Sequence, residues 1–459
     1  MEKAEIQKPL EEQISDMKRD WDWRARENAR WFINTYKLDQ TEEEFDETGR
    51  RDLHRFILHD LDLLTDGRNP KSLRVLEIGC GIGRITKHLA ELFGEVHGTD
   101  VSGEMIRQGR ERLHSSPNLF LHETNGADFA DFPAEYFDLI FSTFVFQHLP
   151  SSELVISNIT DAYRLLKPGG VFKFLTNGIT NAAFAQMPKD TWTGVAFDEA
   201  KLRLLSSTIG AQLIEITGGG TQYCCPLLRK RNPTSSLLQI ASPKIVACSN
   251  LRASTVEVAR LESADDHLTL ILTGVDRQQV DVNNVVIELR GRPLPLFYVG
   301  RVREALRSDL IDSDLQNFVQ INVSYPKDEP GGRAGLRVVL ADHIASDPIE
   351  LELPEPQIVT PTIHQVTNVF DGGLDICASG PKSLIRLFVQ NLWETDQEGE
   401  EVRLTIDDLE FTPEKIVFLP NNAAWEVTVQ LPEDTLPGQH QLFVRRGEII
   451  SPSVFIEIS

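Results

Sequence analysis

The sequence predicts an α/β domain built on a mostly parallel sheet, followed by two all-β sandwiches. Three observations carry this expectation. Up to about residue 245, strand-like apolar runs alternate with helical ones: LRVLEIG, RITKHLAELFG, EVHGTD, GEMIRQGRERLH. That rhythm places a parallel sheet between two layers of helices. After residue 245 the helical period stops, and short runs such as HLTLILTG, NNVVIELRG, FVQINVSYP and AGLRVVLA follow, punctuated by Pro, Gly, Asp and Asn. Finally, the Pro-rich LPEPQIVTPT at 353–362 divides this β-rich region into blocks of sandwich length. The predicted domains are therefore 1–245, 246–355 and 356–459.

Composition bounds the function. With 459 residues, 41% hydrophobic and 25% charged, the chain is ordinary globular protein with room for several cores. The 46 basic and 69 acidic residues leave a net charge of −23. Such a surface raises the cost of approaching a phosphate backbone or an anionic membrane, so no nucleic acid partner is expected. The acidity is uneven: residues 246–459 hold 34 acidic against 17 basic side chains. Five scattered cysteines, Cys80, Cys224, Cys225, Cys248 and Cys377, lack zinc-site spacing and suit reduced thiols. No metal site is expected. The N-terminal stretch has no apolar signal core and no run reaches 18 apolar residues, so no transmembrane segment and a cytoplasmic location are expected.

The first thirty-odd residues predict a long amphipathic helix, with Ile14, Met17, Trp21, Ala25, Ala29, Phe32 and Tyr36 on one stripe. It is expected to pack on the sheet domain and to cover a ligand pocket. The most informative stretch is VLEIGCGIGRIT, residues 75–86. An apolar strand runs into Gly79, Gly81 and Gly83 before a helix begins. Glycine serves where the backbone turns sharply and a ligand lies against it, and the helix start offers unpaired N–H groups. A dinucleotide fingerprint needs glycine at position 84, which is Arg84, so the spacing disfavours NAD. The next strand ends in Asp100, a carboxylate able to accept bonds from both hydroxyls of a ribose.

These residues resemble class I S-adenosylmethionine-dependent methyltransferases over roughly residues 15–235. VLEIGCGIG, HGTDVSGEM, HETNGADF, FDLIFSTFVFQHLP, LLKPGGVFKF and GGGTQYCCPLLRK stand in that family's order. The resemblance implies a Rossmann-like, mostly parallel seven-stranded sheet that binds S-adenosyl-L-methionine and releases S-adenosyl-L-homocysteine. It also implies that Gly79, Cys80 and Gly81, with Gly83 completing the loop, flank the methionyl and ribose groups. Glu77 would organise the loop near the methionyl amine, and Asp100 would hold the ribose. Val101 and Met105 would line the adenine face, with Asn125 and Gly126 at its edge.

Methyl transfer from a sulfonium mainly requires alignment and exclusion of water, with a base only where the acceptor must lose a proton. His148, in FQHLP at the end of the fourth strand, is the candidate base, and Gln147 the candidate orienting group. Trp192, Phe184 and Met187 could wall an acceptor pocket. The β blocks resemble bacterial immunoglobulin-like modules, which implies a partner-binding, spacer or oligomerising role. The expected activity is methylation of an oxygen or nitrogen on a small molecule or glycan-type acceptor. The alternative is a non-catalytic cofactor-binding scaffold or sensor.

Overall fold

The computed structural model describes residues 8–35, 37–179, 184, 189–232, 243–303, 318–324, 330–340, 344–353, 360–370, 373–377, 380–390, 392, 402–407, 409–419, 424–431, 435–447 and 449–459, less 251–266. The chain divides into two compact units, Met1–Pro356 and Gln357–Ser459.

The first unit is organised by a sheet whose opening strands are β1 (Arg74–Ile78), β2 (Glu95–Asp100), β3 (Leu119–Glu123), β4 (Phe137–Ser142), β5 (Leu166–Phe174), β6 (Gln212–Thr217) and β7 (Cys225–Arg229). Their order is β3-β2-β1-β4-β5-β7-β6, parallel except for β7, which runs against both neighbours. Strand alternation feeds two cores. Leu76, Ile78 and Ile140 point into one, Val75, Leu139 and Phe141 into the other. The helices that cover these faces are α1 (Leu10–Ile33), α2 (Glu42–Phe56), α3 (Leu61–Thr65), α4 (Thr86–Leu92), α5 (Gly103–Arg112), α6 (Ser152–Leu165) and α7 (Glu199–Thr208).

Helix starts follow local chemistry. Thr41 and Glu44 form a reciprocal capping box at α2, and Ser102, Ser151 and Asp198 cap α5, α6 and α7. Helix α1 bends at Asn28, whose backbone leaves the helical region while its side chain accepts the Trp31 N–H at 3.1 Å and restarts the helix. Met17, Ala25 and Ala29 of the expected stripe are buried, whereas Tyr36 lies outside the described residues.

The predicted break at residue 245 is not a break in the structure. Strands β8 (Lys244–Asn250), β9 (His267–Thr273), β10 (Val285–Leu289), β11 (Arg292–Pro293), β12 (Leu296–Gly300), β13 (Val319–Ser324), β14 (Gly332–Leu340) and β15 (Ile349–Leu353) follow. Four of them, in the order β12-β13-β9-β8, extend the first sheet from the β6 edge to eleven strands. Tyr298 of β12 pairs with Glu215 of β6. The sheet β11-β10-β14-β15 contributes Ile287, Leu336 and Val338 to the same core as Leu270 of β9 and Ile321 of β13. The described strands β8 to β15 thus lie in two sheets that share a core, and one of those sheets is continuous with the α/β half.

Charges lock this junction. Arg303, just past β12, bonds Asp60 at 3.1 Å and also pairs with Glu215. Lys173 of β5 holds the other Asp60 oxygen at 2.6 Å. Tyr298 is fully buried and donates its hydroxyl to the Arg301 carbonyl at 2.6 Å.

The second unit is a sandwich of its own. Thr362–Asn368, Leu384–Gln390, Ala424–Gln430 and Lys415–Leu419 form one antiparallel sheet, and Val402–Ile406, Gly438–Arg446 and Val454–Ile458 are the main strands of the other. Leu387, Val427, Leu404 and Val444, with Trp425, fill the core between them.

Two outcomes follow from the shared sheet. A chain ending at residue 356 should remain soluble and melt cooperatively, whereas one ending at 250 should aggregate, since it exposes the β6 edge and strips Arg303 from buried Glu215; melting curves and gel filtration of both decide this. Arg303→Met in the full chain should cost about 3 kcal/mol of stability, because it leaves buried Glu215 without its cation and Asp60 with Lys173 alone, and denaturant titration measures it.

Candidate functional site

The carboxyl ends of β1, β2 and β4 open into a cavity of about 940 Å³. Its floor is the turn after β1. Gly79 sits at φ +73, where a Cβ would stand 2.1 Å from Val145 Cγ2, and Gly81 at φ +54, where one would meet Ile33 of α1 at 2.6 Å. Both positions therefore require glycine. The Gly79 and Cys80 N–H groups donate to the Thr99 carbonyl at 2.7 and 2.9 Å, tying the turn to β2. Gly83 does a different job. A Cβ there would strike Leu113 Cδ1 at 2.3 Å, so this glycine lets the turn pack beneath α5, and it does not line the cavity.

Asp100 divides its carboxylate between two backbones: Oδ2 accepts the Gly81 N–H and Oδ1 the Ser102 N–H, each at 2.9 Å. Burial raises its pKa to about 6 against the pull of those donors, and Asp22 nearby adds to the rise. Glu77 is 4% exposed. Burial pushes its pKa to about 8, Thr86 and Arg84 opposing, and its Oε2 has no hydrogen-bond partner. Cys80 is buried in the same wall, and burial raises its thiol pKa well above the usual value, which favours the protonated thiol.

Across the cavity, His148 and Gln147 stand on the single turn that follows β4. His148 donates from Nδ1 to the Trp192 carbonyl at 2.7 Å, which fixes the tautomer, and its Nε2 accepts from the Gln147 amide at 3.2 Å. Trp21 meets the imidazole edge-on at 5.4 Å, and Trp192 lies 5.3 Å from it. Burial lowers the His148 pKa to about 4, so the ring is neutral at ordinary pH. Gln147 Oε1 is buried without a partner. Phe144 and Tyr223 close the far wall, 5.9 Å apart, with Phe144 held at φ +59. That conformation is uncommon for an aromatic residue and turns the chain sharply at the strand tip.

Of the residues singled out from sequence, the structure brings Glu77, Gly79, Cys80, Gly81, Asp100, Val101, Met105, Gly126, Gln147 and His148 to this one cavity. Asn125 stays outside. Its Oδ1 accepts the Ala127 and Asp128 N–H groups at 2.8 and 2.9 Å and its amide donates to Asp128, closing its own turn. Trp192 and Phe184 line the cavity, while Met187 lies outside the described residues.

The polar flank of α1 is what sequence reasoning missed. Asp22 accepts the Ser102 hydroxyl at 2.6 Å and the Glu104 N–H at 3.1 Å, capping α5 from another helix. Arg24 donates to Thr191 and lies 4.7 Å from the Trp21 ring and 5.3 Å from Trp192. One helix thus fastens both walls of the cavity. Apolar periodicity reveals its buried stripe but says nothing of these charges.

The residues fit an S-adenosylmethionine. The orphan Oε2 of Glu77 matches an ammonium, Asp100 keeps lone pairs for a ribose diol, and the bare glycine turn admits a ligand against the backbone. Among the described residues no group of three His, Cys, Asp or Glu side chains could hold a metal, and no helix is long and apolar enough to cross a membrane.

Residues 75–170 match the family model described as "Methyltransferase domain". Phosphoethanolamine N-methyltransferase 2 of Caenorhabditis elegans is 38% identical over 98 residues, 21% of this chain and 22% of that protein. A ubiquinone/menaquinone biosynthesis C-methyltransferase of Bordetella parapertussis is 31% identical over 150 residues, 30% of this chain and 56% of that one. The chain thus spans well under two thirds of either relative. A solved phosphoethanolamine N-methyltransferase 1 from Haemonchus contortus, in complex with phosphoethanolamine and S-adenosylhomocysteine, aligns with a TM-score of 0.37 and 19% identity over 50% of this chain and 51% of that one.

The cleft yields two expectations for S-adenosylhomocysteine binding. Asp100→Ala should weaken it by about 1–3 kcal/mol in calorimetric titration; unchanged affinity would remove Asp100 from the site. An ammonium beside Glu77 favours the ionised carboxylate, so binding should expel a proton. Affinity should then rise from pH 6 to about pH 8, and binding heats should depend on the buffer's ionisation enthalpy.

Proposed function

From the premise that this chain carries a class I S-adenosylmethionine-dependent methyltransferase domain, we propose that it moves a methyl group to an oxygen or nitrogen of a small-molecule acceptor. The observation that carries this reading is the continuity of one cavity, from the Gly79–Gly81 turn and Asp100 to the chamber walled by Trp21, Gln147, His148 and Trp192. Bound cofactor would supply an electrophilic methyl group on a sulfonium whose leaving group needs no assistance. Glu77 would hold the methionyl ammonium, Asp100 the ribose hydroxyls, and Val101, Met105 and Gly126 the base.

The acceptor's reactive atom would be aligned by His148 and Gln147. With Nδ1–H committed to the Trp192 carbonyl, His148 offers only the Nε2 lone pair, and Gln147 must swing its amide aside for an acceptor hydroxyl or amine to reach it. At a pKa of about 4 the imidazole is a poor proton store. Its role is to accept a hydrogen bond that orients the nucleophile's lone pair and to receive the proton as the new bond forms. The aromatic wall would exclude water. Arg55 of α2 lines the same cavity with its guanidinium 5.1 Å from the Phe56 ring, and would meet an anionic group at the acceptor's remote end.

The first test is calorimetric titration with S-adenosylhomocysteine, with NADH as control, followed by transfer from methyl-labelled cofactor to amines, phenols and alcohols with and without an anionic group. Micromolar binding with turnover supports the proposal. Binding without turnover across the panel favours a cofactor-sensing scaffold, and no binding rejects both. Where turnover is found, the rate at saturating cofactor should show no His148-dependent fall with acid until pH approaches 4, because neutral His148 persists to that value; a limb near pH 6.5 that vanishes in His148→Gln would contradict this placement.

A further inference from the structure

A second cluster of cationic side chains lies toward the other end of the sheet, away from the glycine turn. Arg229 ends β7, paired in register with Gln212, the first residue of β6. It is 6% exposed, and its Nε and Nη2 are buried without a hydrogen-bond partner. Two more arginines stand by it: Arg277 from the segment after β9, and Arg301 from the turn after β12. Both reach for the same oxygen, Asp66 Oδ1, at 3.5 and 3.6 Å. Arg301 adds a 3.4 Å contact to the Asp62 carbonyl.

Two guanidiniums therefore share one carboxylate oxygen, and the third and most buried, Arg229, has no bond to it. Neighbouring cations are treated otherwise. Lys173 sits on Asp60, Arg303 on Asp60 and Glu215, and Arg231 on Asp281. Burial pushes the Arg229 pKa below its ordinary value, and Arg277 and Arg301 push the same way. An unmet guanidinium in a dry site is destabilising, and a region this rich in acids has carboxylates to spare. Among the described residues, the ion pairs of Arg277 and Arg301 both end on Asp66, and Arg229 has no hydrogen bond to set against its burial.

We propose that Arg229, Arg277 and Arg301 form a binding site for a compact phosphate-type dianion, separate from the cofactor cleft. Planar guanidinium forks suit tetrahedral oxyanions, which can take several N–H donors at once. The side chains of Arg277 and Arg301 are about a fifth exposed, so their outer edges meet solvent, where a free phosphate or the terminal phosphate of an ester would approach. The three arginines come from β7 on one side of the β6–β12 seam and from the appended strands on the other. Occupancy therefore clamps that seam and raises the stability of the whole first unit.

The test is thermal denaturation of the full chain in inorganic phosphate, in phenyl phosphate, and in sodium chloride at matched ionic strength. A saturable rise in melting temperature at millimolar phosphate, absent in chloride, is expected. It should be lost in Arg277→Gln and Arg301→Gln, whose partly exposed positions tolerate the change, and in Arg229→Met where that variant folds by circular dichroism. An equal rise with phenyl phosphate identifies a phosphomonoester as ligand, and a rise with inorganic phosphate alone identifies the free ion. No saturable rise, or a rise that persists in Arg277→Gln and Arg301→Gln, overturns the proposal. None of these readings depends on methyl transfer.

Discussion

The carboxylate of Asp100 takes the Gly81 amide on one oxygen and the Ser102 amide on the other, and by doing so fixes two segments from one strand tip. The turn after β1 cannot move without disturbing the start of α5, and neither can move relative to β2. Thr99 adds two bonds from its carbonyl to the same turn. The cofactor cleft is thus a consequence of how two neighbouring parallel strands end, and the acid that would read the ribose is also the acid that shapes the pocket. That double duty explains why Asp100 is buried and bonded in spite of its charge. Hydrogen bonds from backbone donors offset much of the cost of removing it from water.

Helix α1 turns this cleft into a chamber. Its apolar stripe lays Met17 beside Gly126, and the bend at Asn28 brings Ile33 over Gly81. Its charged flank then reaches outward in two directions, Asp22 to the start of α5 and Arg24 to Thr191. The aromatic wall around His148 is assembled from both parties, Trp21 from α1 and Trp192 from the loop Arg24 holds. A shift of α1 would therefore change the His148 surroundings and the cofactor turn together. Positioning of cofactor and acceptor is coupled through one element.

The strands, the glycine turn and Asp100 were legible in the sequence because their residue types answer to local constraints: β-branched runs, positive φ, a carboxylate at a strand end. Gly83 and Asn125 show where such reading stops. Spacing cannot separate a glycine that admits a ligand from one that admits Leu113, nor an amide that faces a base from one that closes its own turn on Asp128. The left-handed Phe144 left no trace in composition, since a phenylalanine does not ordinarily mark a positive φ. The boundary near 245 misled for a related reason. Composition reports that residues 246–355 are strands, but which sheet a strand joins is decided by non-local pairing such as Tyr298 with Glu215.

That pairing also orders events during synthesis. By the time residue 245 has left the ribosome, every side chain around the cofactor cleft has been made, yet the sheet still ends at β6 and Glu215 still waits for Arg303. Translation at roughly 5–20 residues per second puts several seconds between the two. Through that interval the nascent α/β half carries an open strand edge and an uncompensated interior acid. The shared sheet, a source of strength in the finished protein, leaves its half-made form with backbone donors and acceptors that only later residues can satisfy.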